Sequence, residues 1–175
     1  MNSLLGSLLN PPRRKVFVSY HHAGDQAFYD TLSRDLASGL ELFHDNSLDR
    51  RIGSEDPEYI MRRIREHHLH GSSCTIVLCG QNTPRRKYVD WEIEASLTQQ
   101  MVLIGIMLPT IEWFSNGGTA KPLRLQDNID SGYAQWISWN AILQNPSELI
   151  ATIERANAAP KSRIANSRQR MTRNA

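Results

Sequence analysis

Cysteine is scarce: Cys74 and Cys79 are the only two among 175 residues. Both lie in or beside an apolar run, and two such thiols make no disulfide framework, so a reducing compartment is expected. No apolar run approaches the roughly 18 residues that a membrane-crossing helix needs. The longest, Met101–Met107, suits a buried strand. The first ten residues hold leucines at 4, 5, 8 and 9 without a cationic start, and Arg13, Arg14 and Lys15 follow that stretch instead of preceding it. That order is not a signal peptide's. The leucine spacing fits a short amphipathic turn packed on the domain or on another subunit, and the cytoplasm is the expected location. The glycine patterns of dinucleotide and P-loop sites are also missing, as is the helical His pair with a glutamate of zinc hydrolases.

What is present is an ordinary folded composition, 40% apolar and 22% charged, in a chain of single-domain length. The net charge of +2 is unevenly spread. Lys161, Arg163, Arg168, Arg170 and Arg173 lie in the last sixteen residues with no acid among them, leaving 15 basic and 18 acidic side chains elsewhere, a net −3. The high pI is therefore no sign of a nucleic-acid-binding domain. The tail reads as a solvated terminus, with contact to phosphate or an acidic partner as the alternative.

Strand and helix patterns alternate along the chain. Lys15–Ser19 is a short β-branched and aromatic run, a strand. Phe28, Leu32 and Leu36 form one apolar face of a helix from Asp25 to Ala37. Leu40–Phe43 is a strand, followed by a polar loop, His44–Ser54. Asp56 before Pro57 fits an N-cap with proline in the first helical position, and Ile60 and Ile64 continue that helix to about residue 69. Cys74–Cys79 is apolar on both alternations, as in a buried parallel strand. Val89, Ile93 and Leu97 align in a helix over Tyr88–Gln100, and Met101–Leu108 is a second two-sided strand. Residues 109–132 show no period. Ala134–Trp139 alternates as a last strand, and Asn145-Pro146-Ser147-Glu148 opens a final helix that runs to about Asn157.

Five strands and about four helices in alternation predict a flavodoxin-like α/β sandwich, a parallel sheet in the order 2-1-3-4-5. Ligands of such sheets bind beyond the carboxyl ends of the strands. A phosphoacceptor receiver is excluded, since the third strand ends Leu78-Cys79-Gly80 without a carboxylate. The first turn, Ser19 to Asp25, has one glycine and the pair His21–His22, which argues against a flavin phosphate loop. His67, His68 and His70 suit a helix C-terminus, where imidazolium complements the dipole, and no metal is expected. His21 lies where a ligand should lie and is a candidate pocket residue, with turn packing as the alternative.

Lys15-Val16-Phe17-Val18-Ser19-Tyr20 resembles the first strand box of TIR domains. Asn82 to Ile93 (N-T-P-R-R-K-Y-V-D-W-E-I) resembles the V-x-x-E-I segment of bacterial TIR-like domains, as does Asn128 to Ala134 with Trp136 and Trp139. The group resembled is the one that includes the signal-producing protein of Thoeris antiphage defence. The likeness covers residues 14–157, leaving an N-terminal extension (1–13) and the basic tail (158–175). The proline-glycine motif of animal signalling TIR loops is absent from His44–Ser54, and the closing Phe-Trp box is missing. Both departures favour the bacterial group.

The resemblance implies an enzyme that cleaves NAD between nicotinamide and ribose, with one catalytic glutamate on the helix after the third strand. Glu92 matches that position. At about 100° per residue, Asp90, Glu92 and Glu94 all fall near the margins of the buried stripe, so only the motif match selects Glu92. Ser19, Tyr20, His21, Asp45, Ser47 and Trp91 are the candidates for holding the dinucleotide, Trp91 either stacking on a ring or packing in the core. NAD is then substrate, with no further cofactor. The implied product is a cyclic ADP-ribose-type nucleotide that diffuses to a separate effector after a phage-derived trigger. Homo-oligomers are expected, and neither membrane nor nucleic acid. The alternative is a non-catalytic TIR-like protein-interaction module.

Overall fold

The computed structural model describes residues 13–44 and 56–175. Its five strands are β1 (Arg14–Ser19), β2 (Leu40–Phe43), β3 (Cys74–Cys79), β4 (Val102–Met107) and β5 (Gln135–Ser138). They form one parallel sheet in the order β2-β1-β3-β4-β5. The expected fold class and strand order are therefore the ones observed. The central strand β3 is buried along its whole length, which explains why its sequence is apolar at every position and does not alternate.

Between β1 and β2 lies α1 (His22–Thr31), extended by a π-helical segment, Leu32–Leu36. After β2 comes α2 (Pro57–Arg63), extended likewise over Ile64–His68. Asp56 caps α2 by accepting from the Glu58 amide at 3.0 Å, with Pro57 at the first position. A 3₁₀ turn, Thr83–Arg85, leads from β3 into α3 (Lys87–Thr98). The remaining helices are α4 (Leu123–Asp130), α5 (Trp139–Gln144) and α6 (Ser147–Asn157).

Two of these depart from expectation. Helix α4 lies inside the stretch that showed no period. Its inward face is part polar: Arg124 and Asn128 are as fully buried as Leu125, so hydrophobicity does not mark the turn spacing. Helix α5 starts at Trp139, which the alternation had assigned to the last strand. There Ser138 ends β5 and its hydroxyl accepts from the Ala141 amide at 3.1 Å, capping the new helix.

The even-numbered side chains of β1, β3 and β4 form the first core with α1, α5 and α6, through Leu32, Leu36, Ile142, Leu149 and Ile153. On the other face, Val77, Cys79 and Leu103 pack against α3 and α4, while Phe17 packs against Ile60, Met61, Ile64 and Trp91. Each aliphatic side chain withdrawn from water in this way contributes about 1.5–3 kcal/mol.

The basic tail is not a solvated terminus. After the 3₁₀ turn Lys161–Arg163 it crosses α4 and α3 as a strap. Arg168 makes a double hydrogen bond to Asp127 at 2.7 and 2.8 Å, which holds the Asp127 carboxyl below its ordinary value. Arg170 pairs with Glu94 at 2.8 Å and with Glu58 at 2.9 Å.

Candidate active site

Helix α3 descends from the carboxyl edge of the sheet across β1 and β3. Glu92, in its middle, is 6% exposed. Ser19 ends β1, and strand alternation turns its side chain to the α3 side, as for Phe17 two residues earlier. The Ser19 hydroxyl donates to Glu92 Oε2 at 2.5 Å. One turn on, the Ser96 hydroxyl donates to the Glu92 carbonyl at 2.7 Å. That proton being committed, the 2.7 Å contact between Thr75 and Ser96 has Thr75 as its donor. Two buried hydroxyl contacts, one to β1 and one to β3, thus seat α3 on the sheet and set the Glu92 carboxylate at the end of β1. Thr75 and Ser96 were not singled out in the sequence. The available signal was Ser96 standing four residues after Glu92, on the same helix face.

The neighbouring carboxylates face away. Asp90 takes Arg124 Nε at 2.9 Å, with the two side chains 5% and 0% exposed. Glu94 is held by Arg170 and lies 3.8 Å from Arg124. Two residues along a helix are about 200° apart, so Asp90 and Glu94 sit on the strap side while Glu92 sits on the sheet side.

A third buried carboxylate marks the carboxyl edge of β3. Asp25, in the first turn of α1, is 3% exposed. It lies so close to the Gly80 backbone that a Cβ there would meet Asp25 Oδ1 at 2.3 Å. Thr83 reaches Asp25 Oδ2 at 3.1 Å while accepting from the Gly80 amide at 2.9 Å. Burial raises the Asp25 carboxyl above its ordinary value, and the Thr83 contact offsets this in part. The sequence reading did not select Asp25, which there is simply an acidic residue at a helix start.

The other candidates are dispersed. Tyr20 points to the opposite face from Ser19. It stacks on Tyr29 with centroids 5.1 Å apart, and its hydroxyl donates to Gln26 at 2.8 Å. His22 and His44 lie beside it at 4.2 and 5.4 Å. His21 is the N-cap of α1, and its carbonyl accepts from Asp25 at 2.8 Å. Trp91 is 4% exposed in the cluster around Phe17, and its indole N–H donates to the Met171 carbonyl at 2.8 Å. Both are packing contacts within the domain. Asp45 and Ser47 lie outside the described residues. Cavities among the described residues open elsewhere. One of about 530 Å³ runs between the strap and the starts of α3 and α4, and one of about 220 Å³ lies at the carboxyl ends of β4 and β5, lined by Met107, Trp113, Ser138 and Trp139. Neither includes Glu92. Among the described residues no three His, Cys, Asp or Glu side chains converge as metal ligands.

A 2-1-3-4-5 parallel sheet covered by helices is the flavodoxin-like architecture, the fold class to which TIR-like domains belong. The profile of the Thoeris protein ThsB TIR-like domain matches residues 17–112, more than half of the chain, and the chain belongs to that family. All seven candidate site residues fall in the matched span. Among solved structures, the chain is similar to the TIR domains of the activated Roq1 resistosome that directly recognizes the pathogen effector XopQ. The identity is 14%, over 83% of this chain and 85% of that one, with a TM-score of 0.40. No curated protein matches.

Proposed function

We propose that this protein cleaves the nicotinamide–ribose bond of NAD in bacterial antiphage defence, with Glu92 as the catalytic residue. The observation that carries the reading is the Ser19–Glu92 contact: the glutamate at the family's motif position is buried, fixed by a hydroxyl and set at the end of β1. The chemistry needs one carboxylate. Nicotinamide leaves as a neutral pyridine, taking the C–N bonding pair, so no general acid has to protonate it, unlike the alkoxide of an ordinary glycoside. The ribosyl cation left at C1′ is stabilised electrostatically by the Glu92 carboxylate. Attack by water, with loss of a proton, gives ADP-ribose. Attack by a nucleophile of the same molecule gives a cyclic product, and exclusion of water selects between them. Family membership supports the cyclic, signal-making outcome and a cytoplasmic enzyme acting through a separate effector. His21, with Asp45 and Ser47, is proposed to hold the dinucleotide, while Tyr20 and Trp91 support the site from the core.

The test is incubation with NAD of the purified protein and of lysate from infected cells, which supplies any phage-derived trigger, followed by mass spectrometry. Free nicotinamide with an ADP-ribose-type product is the expected result. Intact NAD in both, from a folded protein, rejects the reading. A non-catalytic interaction module is the second reading, favoured by the exposed side chains of Trp113, Phe114 and Leu123 around the β4–α4 connection. It predicts function that survives Glu92→Gln and is lost when those three are made polar.

A further inference from the structure

We infer that the C-terminal strap is the positioning element for Glu92, with Arg170 as its clip. The two sides of α3 are held by different parts of the chain. The sheet side is held at Glu92 by Ser19 and at Ser96 by Thr75. The outer side is held at Asp90 by Arg124 of α4 and at nearly every turn by residues 166–174. The Lys87 amide, one of the donors that a helix N-terminus leaves without an intrahelical partner, bonds Asn174 Oδ1 at 2.9 Å. Asp90 Oδ2 accepts from the Met171 amide at 2.9 Å, and the Trp91 indole donates to the Met171 carbonyl at 2.8 Å. Glu94 receives Arg170, while Asn166 reaches the Glu94 carbonyl at 3.2 Å and Thr98 at 3.3 Å.

Asp90, Glu94 and Thr98 are spaced four apart and form one stripe of the helix, opposite the stripe that carries Glu92 and Ser96, and the strap grips that stripe along its length. A helix fixed on one side only can roll, and a roll of α3 swings the Glu92 carboxylate away from the end of β1. Gripped on both sides, it cannot. The strap is tied down in turn. Asn128 bonds both the amide and the carbonyl of Ala165, and Arg168 is bound to Asp127. Arg170 spans two helices of the domain by ion pairs, reaching Glu58 on α2 as well as Glu94 on α3, while Asn166 bridges α3 and α4 through its neutral amide. Of the two Arg170 arms the one to Glu94 matters more, because Glu94 is 17% exposed and Glu58 71%, and ion pairs in full solvent contribute little.

For its kinetic consequence this rests on the NAD-cleaving reading, and the test separates the two. Arg170→Gln and Arg170→Lys are prepared in the full chain, and NAD cleavage is measured with lysate of infected cells present. Misplacing a reacting group by about 1 Å costs up to about 100-fold in rate. Arg170→Gln is therefore expected to lower kcat about tenfold, with KM within about twofold of wild type. Arg170→Lys keeps the charge that holds Glu94 and restores most of the rate. Amide exchange at residues 92–96 is followed on the same three proteins. It should quicken in Arg170→Gln and return toward wild type in Arg170→Lys. An unchanged kcat in Arg170→Gln, or a loss that lysine does not rescue, overturns the proposal. If the wild type leaves NAD intact, the functional reading fails and exchange alone decides. Identical exchange in all three proteins then overturns the strap's role, and faster exchange reversed by lysine supports it.

Discussion

Arg124 and Asp90 meet almost completely out of water, Nε donating to Oδ1 at 2.9 Å with exposures of 0% and 5%. Through this pair α4 holds the outer side of α3. The same guanidinium donates to Asn166 in the strap at 2.9 Å, and Asp90 accepts from the Met171 amide. One buried ion pair therefore joins three segments that are distant in sequence.

Removing one partner should be costly, since it leaves the other charge buried and unpaired. Arg124→Met is expected to lose about 3–5 kcal/mol of stability in urea unfolding. Combining it with Asp90→Asn should recover part of that loss, because the stranded charge is then gone and changes to groups in contact do not add. A double variant that loses the full sum of the single changes would contradict the coupling.

Glu92→Gln keeps the size of the side chain and an oxygen acceptor for Ser19 but removes the charge. The rate of NAD cleavage should fall by about 10²–10³, while the melting temperature stays near the wild-type value. NAD affinity should be kept or improved, because a carboxylate facing an anionic dinucleotide is gone. Glu94→Gln is not a silent comparison, since Glu94 anchors Arg170. Glu154→Gln serves instead: it lies on α6, 58% exposed and paired with Arg14, and should leave activity unchanged. Equal activity in the Glu92 and Glu154 variants would end the catalytic assignment.

Ser19→Ala removes the hydroxyl that fixes Glu92 Oε2 and leaves the carboxylate in place. Its effect should fall on orientation, lowering kcat about tenfold with a smaller change in KM. A hydrogen bond to a charged group contributes about 1.5–3 kcal/mol, so a drop in stability of up to that size should accompany it. Unfolding and steady-state kinetics on the one variant measure both.

Asp25 makes stability depend on pH. Burial raises its carboxyl in the folded protein above the ordinary 3.8, so the folded chain binds this proton more tightly than the unfolded chain does. The ionised group therefore costs stability at neutral pH. That cost shrinks as pH falls through the folded value and is gone below 3.8. Asp25→Asn, which keeps an acceptor for Thr83, should raise stability at pH 7 and remove this dependence. Urea midpoints from pH 7 to pH 4 that run parallel in wild type and variant would refute it.

The sequence by itself determined the sheet and its order. β3 and β4 are apolar on both alternations because helices cover both faces, and β2 and the Asp56–Pro57 helix start follow from local backbone chemistry. It also marked Glu92, though only through a family motif, because three carboxylates shared the margins of one helical stripe. Tertiary structure gives the three different surroundings. Asp90 and Glu94 turn to Arg124 and Arg170, whose positions depend on α4 and on the tail, while Glu92 turns to Ser19 on β1. Helix α4 escaped the hydrophobic pattern because Arg124 and Asn128 share its buried face, and a buried arginine is recognisable only with its carboxylate in place. The tail reads as solvated for the same reason. Its arginines look like surface charge in one dimension, and they become a strap only when folding brings Asp127, Glu94 and Glu58 beneath them, since charge pairing over such separations leaves no period in a sequence.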